Sequence, residues 1–168
     1  MKHLAIIADG NRRWARKNGL PIELGYTQGL KIIEKVCEWA IQNGLEFLTF
    51  YCFSTENWGR QKSEIDSIFK LAHSYFETNI PWYVNKGIKV KFSGRRDRFD
   101  PVLVKKMERA EEATSHGKLL TLVICCDYGG RDEIVRAISQ GAKTEEEINK
   151  ALTALAPCPD VILRTGGN

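Results

Sequence analysis

The chain has 168 residues, of which 43% are hydrophobic and 27% are charged, and its formal net charge is +4. This length suits one domain with a buried core, so we predict a single domain over residues 1–168 with the composition of an ordinary soluble, globular protein. The charge is too small to indicate a nucleic-acid partner, and the longest apolar runs are too short for a transmembrane helix.

The first predicted strand, residues 3–8, stops at the tripeptide Asp-Gly-Asn (9–11) and is followed by a cluster of cations. Taken alone, this tripeptide can simply be a turn that ends a strand. The cations that begin with Arg12 and Arg13 are harder to explain in that way. Positive charge in the first turn of a helix opposes the helix dipole unless an anion lies there.

Two helices and a second strand are predicted next. Residues 29–42 place apolar side chains on one stripe and end near Gly44, a typical residue after a helix. The second strand covers residues 47–53, which are rich in aromatic and β-branched side chains. Ser63 is predicted to be the N-cap of a second helix, over residues 64–86.

The second half of the chain continues the alternation. Asp100-Pro101 predicts a helix start, because a capping side chain precedes a proline at the first helical position. Thr144 and Glu147 have the spacing of a capping box. The other predicted strands are 88–93, 119–126 and 160–164, and the other predicted helices are 131–140 and 145–153. This order predicts an α/β fold with an open, mainly parallel five-stranded sheet and helices on both faces.

A polar turn follows each predicted strand. In open parallel sheets, ligands bind outside the carboxyl ends of the strands. The turns bring carboxylates, guanidinium groups and glycines to that edge, and they are residues 9–11, 54–58, 94–96, 127–131 and 164–167. A polyanion such as a diphosphate fits this set, held by arginines and backbone N–H groups, with Mg²⁺ on an aspartate.

The cysteines and histidines indicate no separate chemistry. The five cysteines, at positions 37, 52, 125, 126 and 158, form no CxxC pair. We predict that they are buried small hydrophobic residues of a cytoplasmic protein. The three histidines are scattered, which disfavours a histidine-rich metal site. Because Asp9 interrupts the first apolar run, no signal peptide is expected.

Four motifs in this order resemble the cis-prenyltransferase family. They are DGNRRWA, FSTENWGR, YGGRDEI and DVILRTGG, at residues 9–15, 53–60, 128–134 and 160–167. The resemblance implies an enzyme that condenses isopentenyl diphosphate onto an allylic diphosphate such as farnesyl diphosphate, with new Z double bonds. The product would be a polyprenyl diphosphate, such as the undecaprenyl diphosphate that serves as a lipid carrier in cell-wall synthesis. The resemblance also implies Mg²⁺ dependence and at most peripheral membrane contact, through the lipid product.

The resemblance further implies roles for individual residues. Asp9 would be the catalytic carboxylate that holds Mg²⁺ and assists departure of the diphosphate, and Asn57 would act in proton removal from the isopentenyl unit. An amide is a poor base, so Asn57 would orient either a diphosphate oxygen or a water as the acceptor. Arg164 would grip isopentenyl diphosphate. The residues implied to bind substrates are Gly10, Asn11, Arg12, Arg13, Trp14, Ser54, Thr55, Glu56, Trp58, Arg60 and Arg164.

The chain departs from the family pattern at several positions. Tyr26 stands where many members have a phosphate-contacting His, Ile22 where many have Arg, and Gln61 where Pro usually follows the motif arginine. Family members also continue beyond the RTGG motif, with a sixth strand, contacts to isopentenyl diphosphate and much of a dimer interface. We therefore expect a homodimer in a longer form, and poor condensation by residues 1–168 alone.

Three alternatives stay open. A non-catalytic partner subunit of the same family is disfavoured by the intact Asp9, Asn57 and Arg164, because such partners tend to lose the first motif. A short-chain or irregular prenyl diphosphate synthase is compatible with the motifs, since product length cannot be read from them. An aspartyl-nucleophile phosphatase would need a second aspartate two residues after Asp9, where this chain has Asn11.

Overall fold

The computed structural model describes residues 1–152 and 155–166. Its strands are β1 (His3–Ile7), β2 (Phe47–Ser54), β3 (Ile88–Ser93), β4 (Leu120–Tyr128) and β5 (Val161–Arg164). They form one parallel sheet in the order β3-β4-β2-β1-β5. The predicted parallel α/β fold is confirmed, and every predicted strand is present with ends shifted by at most a residue or two.

Helices connect the strands. They are α1 (Asn11–Lys17), α2 (Ile22–Gln42), α3 (Lys62–Asn85), α4 (Pro101–Ala113), α5 (Gly130–Ser139) and α6 (Glu145–Leu152), and a 3-10 turn covers Thr55–Gly59. Two predicted caps are confirmed. The Asp100 carboxylate accepts bonds from the first backbone N–H groups of α4 at 3.0 Å, and Thr144 and Glu147 make a reciprocal capping box. Residue 153, the last of the predicted final helix, lies outside the described residues.

The start of α2 differs from the prediction, because the helix begins at Ile22 and not at residue 29. Glycines at positions 25 and 29 disfavour a helix by propensity alone. In the fold they lie where α1 crosses α2. A Cβ on Gly25 would be 2.4 Å from the carbonyl oxygen of Asn11. Close packing of the two helices requires glycine there, and this packing outweighs the propensity.

The predicted N-cap of α3 is wrong. The helix begins at Lys62, so Ser63 lies inside its first turn and its carbonyl oxygen accepts a bond from Ser67. The chain is still extended at Arg60, where the 3-10 turn ends, and the helix starts almost directly afterwards. Glu64 in the first turn suits the positive end of the helix.

The centre of the sheet is covered on both faces, as predicted. Four consecutive residues of β4, from Leu122 to Cys125, are each at most 5% exposed, and consecutive strand residues point to opposite faces. On one face, α3 packs against both α2 and α4. Within the described residues, no helix is long and apolar enough to cross a membrane.

The predicted burial of all five cysteines is only partly right. Cys37 and Cys125 are buried, whereas Cys158 is exposed, because it lies in the loop that precedes β5. All five thiols are free. Cys52 also has accessible area, because its side chain lines a cavity.

Candidate active site

A cavity of about 580 Å³ lies between the sheet and helices α2, α3 and α4. It opens at the carboxyl ends of β1, β2 and β5, the edge at which the sequence predicted a ligand. Polar residues line this opening, which we call the mouth. They are Asp9, Gly10, Asn11, Arg12, Arg13, Arg16, Tyr26, Ser54, Asn57, Arg60 and Arg164.

Asp9 is held between two arginines at the mouth. Its Oδ2 accepts hydrogen bonds from Arg164 at 2.9 and 3.1 Å and lies 3.5 Å from an Arg13 nitrogen. These residues meet because β5 pairs with β1 and places Arg164 opposite Ile7. The hydrogen bond from Arg164, aided by the charges of both arginines, holds the pKa of Asp9 below its ordinary value of 3.8. The carboxylate is therefore ionised at neutral pH.

The chain turns from β1 into α1 at Gly10, whose φ is 105°. This left-handed conformation favours glycine. The first turn of α1 contains no acidic residue. No carboxylate of that turn therefore neutralises the arginines of this helix. The predicted cluster of cations thus lies at the cavity, where it is represented by Arg12, Arg13 and Arg16.

A second carboxylate, Glu64, lies close behind the mouth. It was not predicted from the sequence as a site residue. Its Oε1 accepts a bond from the Tyr26 hydroxyl at 2.6 Å and one from Arg60 at 3.0 Å. Its Oε2 is 3.5 Å from Arg12. The spacing of four residues between Arg60 and Glu64, typical of a helical ion pair, was the available signal.

Ser54, the last residue of β2, and Asn57, in the 3-10 turn that follows it, both line the cavity. The backbone N–H of Ser54 donates to Asn57 Oδ1 at 3.2 Å, and the Ser54 hydroxyl accepts from the backbone N–H of Asn57. This reciprocal cap fixes the Asn57 side chain through its oxygen. The amide nitrogen, a donor, is not used in the cap.

Four residues of the predicted site do not line the cavity: Trp14, Thr55, Glu56 and Trp58. Trp58 packs behind the cavity wall against Phe53, Phe69 and Phe99, and its indole nitrogen donates to Asp127 at 2.9 Å. Trp14 is 45% exposed. A hydrogen bond from the Ser54 hydroxyl lowers the pKa of Glu56.

The interior of the cavity is apolar. It is lined by Leu30, Ile33, Phe50, Phe53, Ile68, Phe69, Leu71, Ala72, Phe76, Leu103 and Met107, among others. Tyr75 also lines it, and its hydroxyl is bonded to that of Tyr83 at 2.6 Å. Cys52 has area open to the cavity although protein surrounds it. This burial raises the pKa of the Cys52 thiol to about 12.

Comparisons with known proteins agree with this architecture. Residues 7–168 match the prenyltransferase family model for undecaprenyl diphosphate synthases. The chain is 43% identical to the isoprenyl transferase of Aquifex pyrophilus, over 99% of this chain and 75% of that protein. It is 36% identical to the (2E,6E)-farnesyl-diphosphate specific ditrans,polycis-undecaprenyl-diphosphate synthase of Micrococcus luteus, over 99% of this chain and 72% of that protein.

Solved structures are similar as well. The lavandulyl diphosphate synthase of Lavandula x intermedia, in complex with dimethylallyl diphosphate, has a TM-score of 0.94 to this chain at 25% identity, covering 99% of this chain and 78% of that one. A probable undecaprenyl diphosphate synthase from Campylobacter jejuni has a TM-score of 0.80 at 28% identity, covering 99% of this chain and 76% of that one.

Proposed function

The chain belongs to the undecaprenyl diphosphate synthase family of prenyltransferases, and from that premise we propose that it condenses isopentenyl diphosphate onto an allylic diphosphate such as farnesyl diphosphate. The observation that carries the proposal is the two-part cavity, with an apolar interior below a mouth lined by five arginines. An allylic diphosphate has the same two parts, an apolar chain and a polyanionic head. The alternative of a non-catalytic partner subunit is not favoured.

The leaving diphosphate is proposed to bind Arg12 and Arg13, on the α1 side of Asp9. When the allylic C–O bond breaks, its electron pair stays on the diphosphate oxygen and the allylic carbon becomes cationic. Guanidinium groups placed where this negative charge develops stabilise the transition state. Asp9 contacts Arg13 and so helps to keep that arginine at the mouth.

Isopentenyl diphosphate is proposed to bind Arg164, on the other side of Asp9. The 2.9 Å contact between Arg164 and Asp9 would bring the two substrates together, which favours a reaction between two molecules. The isopentenyl double bond supplies the electron pair of the new C–C bond, and a proton then leaves the neighbouring carbon. Asn57 would orient the acceptor of that proton, a diphosphate oxygen or a water.

Magnesium dependence is part of the proposal. The described residues contain no group of three or more His, Cys, Asp or Glu side chains placed to hold a metal ion. Magnesium, however, is commonly bound by one or two carboxylates together with substrate phosphates and water. The ionised Asp9 supplies such a carboxylate, so the residues fit. The bound ion would neutralise charge on the diphosphate. A homodimer and a peripheral membrane contact stay predictions.

Product analysis tests the function. We expect labelled isopentenyl diphosphate, supplied with farnesyl diphosphate and Mg²⁺, to enter prenyl diphosphates that contain new Z double bonds. Asp9→Ala should lower the rate at least about 10²-fold, because it removes metal or leaving-group stabilisation. The control is Asp66→Ala, which removes an exposed carboxylate paired with Lys62. Coupling of two dimethylallyl diphosphates without isopentenyl diphosphate would instead identify an irregular synthase, and no labelled product would contradict the proposal.

A further inference from the structure

Four side chains from four segments meet on one side of the cavity mouth, and we call them the Glu64 cluster: Arg12, Tyr26, Arg60 and Glu64. One Arg60 nitrogen donates to the Tyr26 oxygen at 2.7 Å and to the Glu64 carboxylate at 3.0 Å. Tyr26 in turn donates to the same carboxylate oxygen at 2.6 Å. These three contacts form a closed triangle that links α2 to the start of α3.

The two arginines of the cluster are held very differently. Arg60 makes charge-assisted bonds of ordinary length, and its side chain is 25% exposed. Arg12 approaches Glu64 only to 3.5 Å, and its side chain is 38% exposed. A charge-assisted hydrogen bond is normally about 2.7–2.9 Å long. Arg60 is therefore fixed by the cluster, whereas Arg12 is only attracted to it and can bind another anion.

We propose that Glu64 is a positioning residue that fixes Arg60 and competes with diphosphate groups for Arg12. The inference rests on the proposed function and deepens it. An entering allylic diphosphate must draw Arg12 away from Glu64, whose side chain is only 10% exposed and therefore weakly screened. The same competition helps Arg12 to release pyrophosphate after each condensation.

Tyr26 completes the arrangement. Burial and the bond to Glu64 raise the pKa of Tyr26, so the hydroxyl keeps its proton and donates a hydrogen bond to the carboxylate. Tyr26 thereby occupies Oε1 together with Arg60. Oε2 is the oxygen that faces Arg12. The competition depends on the charge of Glu64, and the position of that charge depends on Tyr26 and Arg60.

Calorimetry with inorganic pyrophosphate, with and without Mg²⁺, tests the inference. Glu64→Gln keeps the shape of the side chain and removes its charge, so we expect pyrophosphate to bind about five- to twentyfold more tightly. In steady-state assays KM for farnesyl diphosphate and kcat should both fall, because binding tightens while release slows and Arg60 loses a charged partner. Glu64→Asp keeps the charge, so its pyrophosphate affinity should stay within about threefold of wild type.

Two control variants separate charge from structure. Tyr26→Phe removes a hydrogen bond but no charge, and Arg60 still holds the Glu64 carboxylate, so pyrophosphate affinity should stay within about threefold of wild type. Glu111→Gln removes another half-buried carboxylate, 19% exposed and paired with Arg96 away from the cavity, and should leave pyrophosphate affinity unchanged. Thermal melting confirms that each variant is folded.

The outcomes distinguish the inference from the proposed function. Unchanged or weaker pyrophosphate binding by Glu64→Gln overturns the inference, and so does a failure of every variant to bind pyrophosphate. If wild type binds pyrophosphate but forms no prenyl product, the proposed function fails. The competition for Arg12 is then still decided by the binding data alone.

Discussion

At the scale of single residues, the two carboxylates of the mouth show what local sequence can reveal. Asp9 ends a strand and precedes a cluster of arginines, so its place at a ligand site was predictable. Glu64 lies in an ordinary helix, and its partner Tyr26 is 38 residues away, so only the fold brings the two together. Trp58 shows the opposite case, because its motif suggested substrate contact and its indole packs behind the cavity wall.

The environment of Asp9 predicts its titration. NMR of the carboxyl carbon should give a pKa below 3.8, the ordinary value for an aspartate. Arg164→Gln should raise it, because the Arg164 hydrogen bond is the largest cause of the shift. Arg16→Gln is the control, since Arg16 lines the mouth whereas the arginines paired with Asp9 are Arg13 and Arg164. An Asp9 pKa that does not move in Arg164→Gln would contradict the described geometry.

The sign of the effect on stability follows from the same shift. A carboxyl whose pKa is lowered by folding stabilises the native state above its unfolded pKa, and this contribution disappears as the pH falls through the lowered value. Because the Arg164 and Asp9 side chains are 60% and 32% exposed, solvent screens the pair and the stabilisation is small. Arg164→Gln should therefore change activity far more than the midpoint of unfolding.

At the scale of helices and strands, local composition predicted most of the fold. The strands are short, rich in β-branched and aromatic residues, and bounded by turns, so their ends were found within a residue or two. The start of α2 was missed because its glycines act through contact with α1, which is a tertiary property. The cap of α3 was missed because the preceding 3-10 turn, and not a capping side chain, decides where the helix begins.

The packing of α1 on α2 predicts a clear difference between two glycines. In Gly25→Ala, the new Cβ would lie 2.4 Å from the Asn11 carbonyl oxygen and 3.1 Å from the Ala15 Cβ. Such overpacking should lower the free energy of unfolding by about 1–3 kcal/mol. Gly130→Ala is the matched control in the first turn of α5, where a Cβ meets nothing within 4 Å, and it should be neutral or slightly stabilising. Urea unfolding measures both, and equal stabilities would contradict the close packing of α1.

At the scale of the whole molecule, the parallel topology assembles the site. It brings Asp9 and Arg164, 155 positions apart, to one edge of the sheet, and the rule for carboxyl ends of parallel strands predicted this edge. The cavity itself was less predictable. Apolar residues on α4, such as Leu103 and Met107, line it, yet in sequence they are indistinguishable from residues of a filled core. Its volume depends on how three helices pack, which no local pattern encodes.

The central claim is that the prenyl chain lies in the cavity while its diphosphate stays at the mouth. Cys52 reports on the interior, and the exposed Cys158 is an internal reference. Because burial raises the pKa of Cys52 to about 12, its reaction with a small thiol reagent at pH 8 should be slow but measurable.

The decisive measurement is the rate of Cys52 modification, followed by peptide mass spectrometry, with farnesyl diphosphate or with inorganic pyrophosphate. At ten times its dissociation constant, farnesyl diphosphate should slow the reaction of Cys52 about tenfold, because only the free cavity reacts. Pyrophosphate should protect Cys52 little, and neither ligand should protect Cys158. Cys52 reacting equally fast with and without bound farnesyl diphosphate would contradict the placement of the prenyl chain in this cavity.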